Sequence, residues 1–245
     1  MNQTIEILMN HVTIRKYHAD KPVSDEIVKT IVSCAQMAPT SSHFQAYSII
    51  QVKNNEKKNI LVKASGGQEY LNEAPVVLLF CADLHRAEKY YENIDENILS
   101  NTESYTIAVI DATLAAQKAL IAAQSLGLGG VVIGGIRNDM DVLANTFKLP
   151  NLVFPMFALC LGYAAEAPDK KPRLPIEAVL KEDFYDESHD DELIKSYNEA
   201  ISNYYNERTN GTSKDRWTER CGKYLMAKPR ENVGIFLRKI GFLKR

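Results

Sequence analysis

Two short runs of cations could hold one anion. His11-Val-Thr-Ile-Arg15 places a histidine and an arginine four residues apart, near the end of a helix expected over 4–12. Lys171-Pro-Arg173 sets two cations either side of a proline. The proline keeps that backbone extended and lowers the entropy lost when both side chains are fixed. Together the four groups could grip a phosphate, arginine through two parallel hydrogen bonds and lysine as a point charge. Taken singly, either pair reads as solvated surface charge. A third polar group, Thr40-Ser41-Ser42-His43, follows Pro39 in a loop. Its hydroxyls and amides suit a polyol or a phosphate. Serine hydrolysis is the weaker alternative, because there is no GxSxG elbow and neighbouring loop residues seldom face each other productively.

The run Gly127-Leu-Gly-Gly-Val-Val-Ile-Gly-Gly135 invites a dinucleotide-fold reading and fails it. Position 132 is Val where a glycine is needed, and the order is helix, glycines, strand instead of strand, glycines, helix. Gly127, Gly129 and Gly130 are expected to stop a helix. Gly134-Gly135 differs: two glycines after a buried strand let a flat ligand approach the backbone and its N–H groups closely.

Elements must position these groups. Ser24 is an N-cap candidate, with Asp25 and Glu26 in the first turn of a helix that carries Ile27, Val28, Ile31, Val32 and Ala35 as an apolar stripe. Strands are expected over 47–52, 76–81, 131–133 and 154–161, and helices over 56–64, 139–148, 190–208 and 231–243. The segment 104–126 is the strongest helix, apolar on nearly every face and so expected to be buried all round. Beyond about residue 186 the chain is more polar, richer in Tyr and Asn, and without strand signal. Residues 1–186 are therefore expected as the core and 187–245 as a helical C-terminal excursion. Mixed rather than alternating helices and strands point to an α+β fold.

Composition bounds the function. Of 245 residues 45% are hydrophobic and 24% charged, which excludes bulk disorder. The net charge of −2 removes a whole-protein electrostatic case for nucleic acid or an anionic membrane. Cys34, Cys81, Cys160 and Cys221 form no close pair, so neither a disulfide framework nor a metal site is expected. The longest apolar segment, 107–126, carries Asp111, Gln117, Lys118 and Gln124, which argues against a membrane span. A cytoplasmic location is expected, since the N-terminal residues carry no secretory pattern.

Six motifs in order resemble the nitroreductase family, specifically its NADPH-dependent, FMN-containing nitro and flavin reductase branch. They are His11-x-x-x-Arg15, Ala38-Pro-Thr-Ser-Ser42 with Gln45, Gly66-Gly67-Gln68, the run Leu120 to Arg137, Lys171-Pro-Arg-Leu-Pro175, and Tyr204-Tyr205-Asn-Glu-Arg208 followed by Trp217. The resemblance implies a central, mainly antiparallel sheet flanked by helices, and an intertwined homodimer that binds FMN non-covalently. His11, Arg15, Lys171 and Arg173 would hold the phosphate end. Thr40, Ser41, Ser42, Gln45 and Gln68 would contact the flavin, and Val132, Ile133, Gly134 and Gly135 would lie along its ring. Arg208, helped by Lys214, would receive NADPH from a loop in the C-terminal excursion. No protein nucleophile or general base is implied, because the flavin carries the chemistry. The implied activity is ping-pong hydride transfer from NADPH to nitro compounds, quinones or free flavin. A flavin carrier or sensor without useful turnover is the alternative. The expected partners are a small-molecule acceptor and a second copy of the chain, with neither nucleic acid nor membrane.

Overall fold

The computed structural model describes residues 2–227 and 230–244. The chain forms two compact units, Met1–Ala167 with Arg230–Arg245, and Pro168–Pro229.

The first unit is built on four antiparallel strands: β1 (Tyr47–Gln51), β2 (Val76–Asp83), β3 (Gly129–Ile133) and β4 (Val153–Gly162), in the order β1-β2-β4-β3. This is the expected α+β arrangement. Every residue of β2 and β4 is buried, so helices must cover both faces. The two-residue period of the strand sorts the side chains. Val76, Leu78, Phe80 and Ala82 join one core with the helices Asp25–Gln36 and Thr102–Ser125. Val77, Leu79 and Cys81 join the other with Asn55–Ala64 and Met140–Phe147. Register shifts between Phe80 and Cys81, where Pro155 and Phe157 of β4 become successive partners. Met156 and Phe157 thereby both enter the first core.

The helix Thr102–Ser125 lays Ala108, Ala112, Ala115, Ala119 and Ala123 against the sheet, all fully buried. Small side chains let the helix axis approach the strands closely. Burial on all sides does not hold, however. Ile110 is 49% and Leu114 39% exposed, which leaves an apolar stripe uncovered by this chain. By length and composition this helix could cross a membrane. Its buried alanines and Asp111 instead make it the core helix of the unit.

It ends at Gly127, φ +78°, in a left-handed cap: Gly127 N–H donates to the Gln124 carbonyl and Leu128 N–H to that of Ala123. Gly129 and Gly130 do not stop the helix. They belong to β3 and are small for another reason. A Cβ on Gly129 would lie 2.9 Å from Ile14 Cβ, and one on Gly130 2.6 Å from the Cys160 carbonyl. The helix Asn232–Lys239 returns to this unit and buries Phe236, Leu237, Ile240 and Phe242 in the first core.

The second unit contains the helices Ile176–Val179, Asp190–Arg208 and Trp217–Ala227. Its small core is Tyr197, Ile201 and Tyr205, with Leu174, Tyr204 and Trp217 packed against it.

Candidate functional site

The segment after the first helix, Gln3–Met9, is extended, so His11 and Arg15 do not share a helical turn. It runs beside β3, an edge strand. Thr13 bridges Gly130, and Ile14 N–H donates to the Gly130 carbonyl at 3.1 Å. Glu166 Oε1 accepts from the Arg15 and Lys16 N–H groups at 2.6 and 3.1 Å, which fixes the segment from the other side. Side chains four apart in an extended chain point the same way. Ile14 is buried and the Arg15 side chain is exposed. His11 Nδ1 meets Gln124 Nε2 of the core helix at 2.9 Å.

β3 leads directly into the glycines. Its neighbours are buried, yet Val132 is 50% exposed and presents an isolated aliphatic surface. Ile133 is buried in the second core, which leaves only its backbone available to a ligand. The tight turn Gly134–Asn138 follows. A Cβ on Gly135 would clash with the Gln68 amide and lie 2.9 Å from the Ser65 carbonyl. That close approach brings Gln68 beside the glycines. Gln68 Nε2 donates to the Ser65 carbonyl at 3.0 Å, and the Tyr70 hydroxyl donates to Gln68 Oε1. Gly66 and Gly67, φ +80° and +88°, cap the helix Asn55–Ala64 and turn the chain into Gln68.

The hydroxyl loop belongs to the same unit. Ser42, His43 and Gln45 all have positive φ, 47°, 59° and 53°. Ser41, Ser42 and His43 are exposed, Thr40 and Gln45 half-buried. The loop is tied to the core helix at Asp111, which is 0% exposed. Asp111 Oδ1 accepts from Ser41 N–H at 3.2 Å and Oδ2 from Ala46 N–H at 3.0 Å. Burial, and after it the Asp111 charge, pushes the Tyr47 hydroxyl above its usual range. Asp111 and Gln124 lie thirteen positions apart on one helix. That helix therefore spaces the hydroxyl loop from His11 by ~20 Å along its axis, at ~1.5 Å per residue.

The second unit carries the remaining cations. Lys171 Nζ stands 5.3 Å over the Tyr205 ring, and the Lys171 carbonyl accepts from Arg173 Nη1 at 2.9 Å. Tyr197 Oη donates to the Pro172 carbonyl at 3.1 Å, which holds the loop on the helix Asp190–Arg208. Arg208 is the last residue of that helix, exposed, with Nη1 2.9 Å from Tyr204 Oη and its guanidinium 5.8 Å over the ring. Lys214 is exposed beyond the loop that Thr209 closes through Ser213 N–H at 2.8 Å.

In the sequence Asp111 and Gln124 stand out only as polar residues within an apolar helix, and Tyr70, which donates to Gln68, by nothing at all. Asp111 did carry a signal. A carboxylate inside an apolar helix must find hydrogen-bond donors when it is buried.

The fold and site define a class: an α+β protein whose edge strand and glycine turn, with the Gln68 amide beside them, suit a flat, hydrogen-bonding ligand. Comparison with known proteins narrows the class. The family model described as "Nitroreductase family" matches residues 8–163, and that of its C-terminal domain matches 171–245. The chain is 41% identical over 249 residues to the FMN reductase (NADPH) of Bacillus subtilis and 37% over 245 to the oxygen-insensitive NADPH nitroreductase of Salmonella typhimurium, covering 100% of each chain. Among solved structures, NfrA1 of B. megaterium matches with a TM-score of 0.95 at 44% identity, over 99% of this chain and 100% of that one. The NADPH:FMN oxidoreductase of Vibrio harveyi complexed with NAD+ matches at 0.89 and 33%, over 100% of both. The chain belongs to the nitroreductase family.

Proposed function

We propose that this protein is an FMN-dependent oxidoreductase that uses NADPH to reduce nitro compounds, quinones or free flavin. The observation that carries the reading is the β3 exit: half-exposed Val132 followed by Gly134 and Gly135, with the Gln68 amide packed beside them. A planar ring needs an apolar surface, close backbone and amide partners at its rim, and these residues fit that need. The full-length identity to enzymes named for FMN and NADPH supports the same reading.

When bound, FMN supplies the two-electron chemistry between NADPH and the acceptor. The chain's own residues bind and orient. Val132 covers the ring, with the Ile133, Gly134 and Gly135 backbone along it. Thr40, Ser41, Ser42, Gln45 and Gln68 hydrogen-bond the flavin and ribityl groups. His11 and Arg15 of the first unit are assigned to the phosphate; Lys171 and Arg173 of the second are cations of the same kind. N–H donors near the ring would favour negative charge on it. Arg208, with Lys214, recognises the 2′-phosphate of NADPH. No side chain is assigned a covalent or general-base role. The exposed Ile110 and Leu114 support a homodimer, with 187–245 contributing to partner contacts and the nicotinamide site. The working location is the cytoplasm.

The test is an absorption spectrum of purified protein before and after anaerobic NADPH, followed by extraction of the chromophore. Yellow protein that bleaches with NADPH and yields one FMN per chain is expected. FAD, a colourless protein that does not take up FMN, or a flavin that NADPH leaves oxidised would each refute the proposal.

A further inference from the structure

The hydroxyl loop is pinned by opposite charges acting on the two kinds of backbone group. From the core side, the two oxygens of Asp111 take the N–H groups of Ser41 and Ala46. From the solvent side, Arg86 Nη1 donates to the carbonyls of Gln45 and Tyr47, each at 3.3 Å. Arg86 Nη2 donates to Ser48 Oγ at 3.1 Å and lies 3.6 Å from Asp83 Oδ2, and Ser48 Oγ in turn donates to Asp83. The two Asp111 anchors bracket Ser42, His43 and Gln45, the three left-handed residues. Side chains at positive φ persist only where the surroundings fix the backbone. A carboxylate buried inside an apolar helix is costly unless fully bonded. Here both its oxygens serve this one loop.

We propose that Asp111 and Arg86 are positioning residues, a carboxylate–guanidinium clamp that presets the strained loop in its binding conformation. The proposal rests on the reading that Ser41, Ser42 and Gln45 contact FMN. Neither Asp111 nor Arg86 touches the flavin in this scheme. Their effect passes through the backbone of residues 41–47. A loop already ordered before the ligand arrives loses less entropy on binding.

The test uses the full-length chain, stripped of flavin and titrated with FMN by fluorescence. Asp111→Asn keeps the shape but replaces one acceptor oxygen with an NH2 donor, so one of the two loop N–H groups faces a donor. Arg86→Gln removes the guanidinium at a side chain that is 53% exposed, where the fold tolerates change. Each variant is expected to weaken FMN binding tenfold or more. Amide exchange in the FMN-free protein should quicken over 41–46 and stay unchanged over β2 and β4. The decisive readout is coupling. Asp111→Asn combined with Gln45→Ala should weaken binding little more than the stronger single change. Combined with Arg15→Ala, the two losses should multiply.

Wild-type affinity in both clamp variants overturns the proposal. So does a loss that multiplies with Gln45→Ala, or exchange that quickens across the whole sheet, which marks a merely structural role. Should Asp111→Asn fail to fold, Arg86→Gln decides alone through the same combinations. If Ser41→Ala, Ser42→Ala and Gln45→Ala all leave FMN affinity unchanged, the flavin-contact reading fails and the clamp falls with it. If they weaken binding while the clamp variants do not, only the clamp falls.

Discussion

Ile14 occupies the space that a side chain at Gly129 would need: a Cβ there would lie 2.9 Å from Ile14 Cβ. The contact holds the 11–15 segment against β3, and through it sets Arg15 relative to Val132. Gly129→Val should push the segment away. We expect a loss of about 1–3 kcal/mol in stability from overpacking. FMN affinity should fall with it, measured by thermal melting and flavin titration. Unchanged binding in a folded variant would separate the segment from the flavin site.

Arg15→Ala should weaken FMN binding by roughly 1.5–3 kcal/mol, the scale of a charged hydrogen bond. Its exposed side chain is not needed for the fold, because the segment is held by Arg15 N–H, Lys16 N–H and Ile14 N–H. Thermal stability of the flavin-free protein should therefore stay near wild type while the FMN dissociation constant rises. A variant that melts early without loss of FMN affinity would assign Arg15 to the fold.

What was legible in the sequence divides along physical lines. Ser24 caps its helix as expected, because capping is a local hydrogen bond, here from Ile27 N–H; Asp139 does the same for Val142 N–H. The apolar runs become β2 and β4, and the helix Thr102–Ser125 stands where the pattern placed it. Contacts distant in sequence were not legible. The His11–Arg15 stretch is extended because it pairs with Gly130, some 115 residues away, and not because of its own propensity. Gly129 and Gly130 are small for Ile14 and Cys160, neither adjacent in sequence. The helix Trp217–Ala227 carries Trp217, Cys221, Tyr224 and Leu225 at helical spacing, a signal present in the sequence and absent from the expected helices. Of the site, the residue types were visible. The clamp on the hydroxyl loop was not, since Arg86 stands on a short helix with no distinguishing pattern.

The four cysteines should fall into unequal classes. Cys81 and Cys160 are buried, and burial pushes the Cys160 thiol up to about 12 and raises that of Cys81 as well. At pH 8 very little of Cys160 is then a thiolate, the reactive form. Raising the pH increases that fraction, so any slow reaction should accelerate with pH. Peptide mapping after thiol labelling at pH 8 should find exposed Cys34 modified and Cys81 and Cys160 protected until the chain is unfolded. Equal labelling of Cys34 and Cys160 in folded protein would contradict this burial.

Ile110 and Leu114 expose apolar surface on a helix whose alanine-rich face is core. Covering such a side chain is worth roughly 1.5–3 kcal/mol. A twofold interface would use each residue twice, so the pair of changes Ile110→Glu and Leu114→Glu should cost several kcal/mol of association. Light scattering at micromolar concentration should show wild-type dimers and variant monomers. A monomeric wild-type protein that retains its flavin would remove the need for a partner.

NADPH and NADH differ by one 2′-phosphate, so discrimination needs a cation that the FMN phosphate does not already engage. Arg208 ends the helix Asp190–Arg208, where a cation also suits the negative end of the helix dipole. Its guanidinium lies over Tyr204 and hydrogen-bonds the Tyr204 hydroxyl, which limits its freedom without neutralising its charge. The following loop has Asn210 and Gly211 at positive φ, a turn that carries Lys214 back beside the helix, where its carbonyl accepts from Ser202 Oγ. One charge-assisted contact is worth roughly 1.5–3 kcal/mol, about ten- to a hundredfold in affinity. Arg208→Ala should lower kcat/KM with NADPH by that factor and leave NADH nearly unchanged. Tyr204→Phe keeps the ring and removes the hydroxyl, so it should produce a smaller loss with the same selectivity. An equal loss for both nicotinamides would assign Arg208 to the fold or to the part of the cofactor they share. No loss for either would place recognition of the 2′-phosphate on other residues.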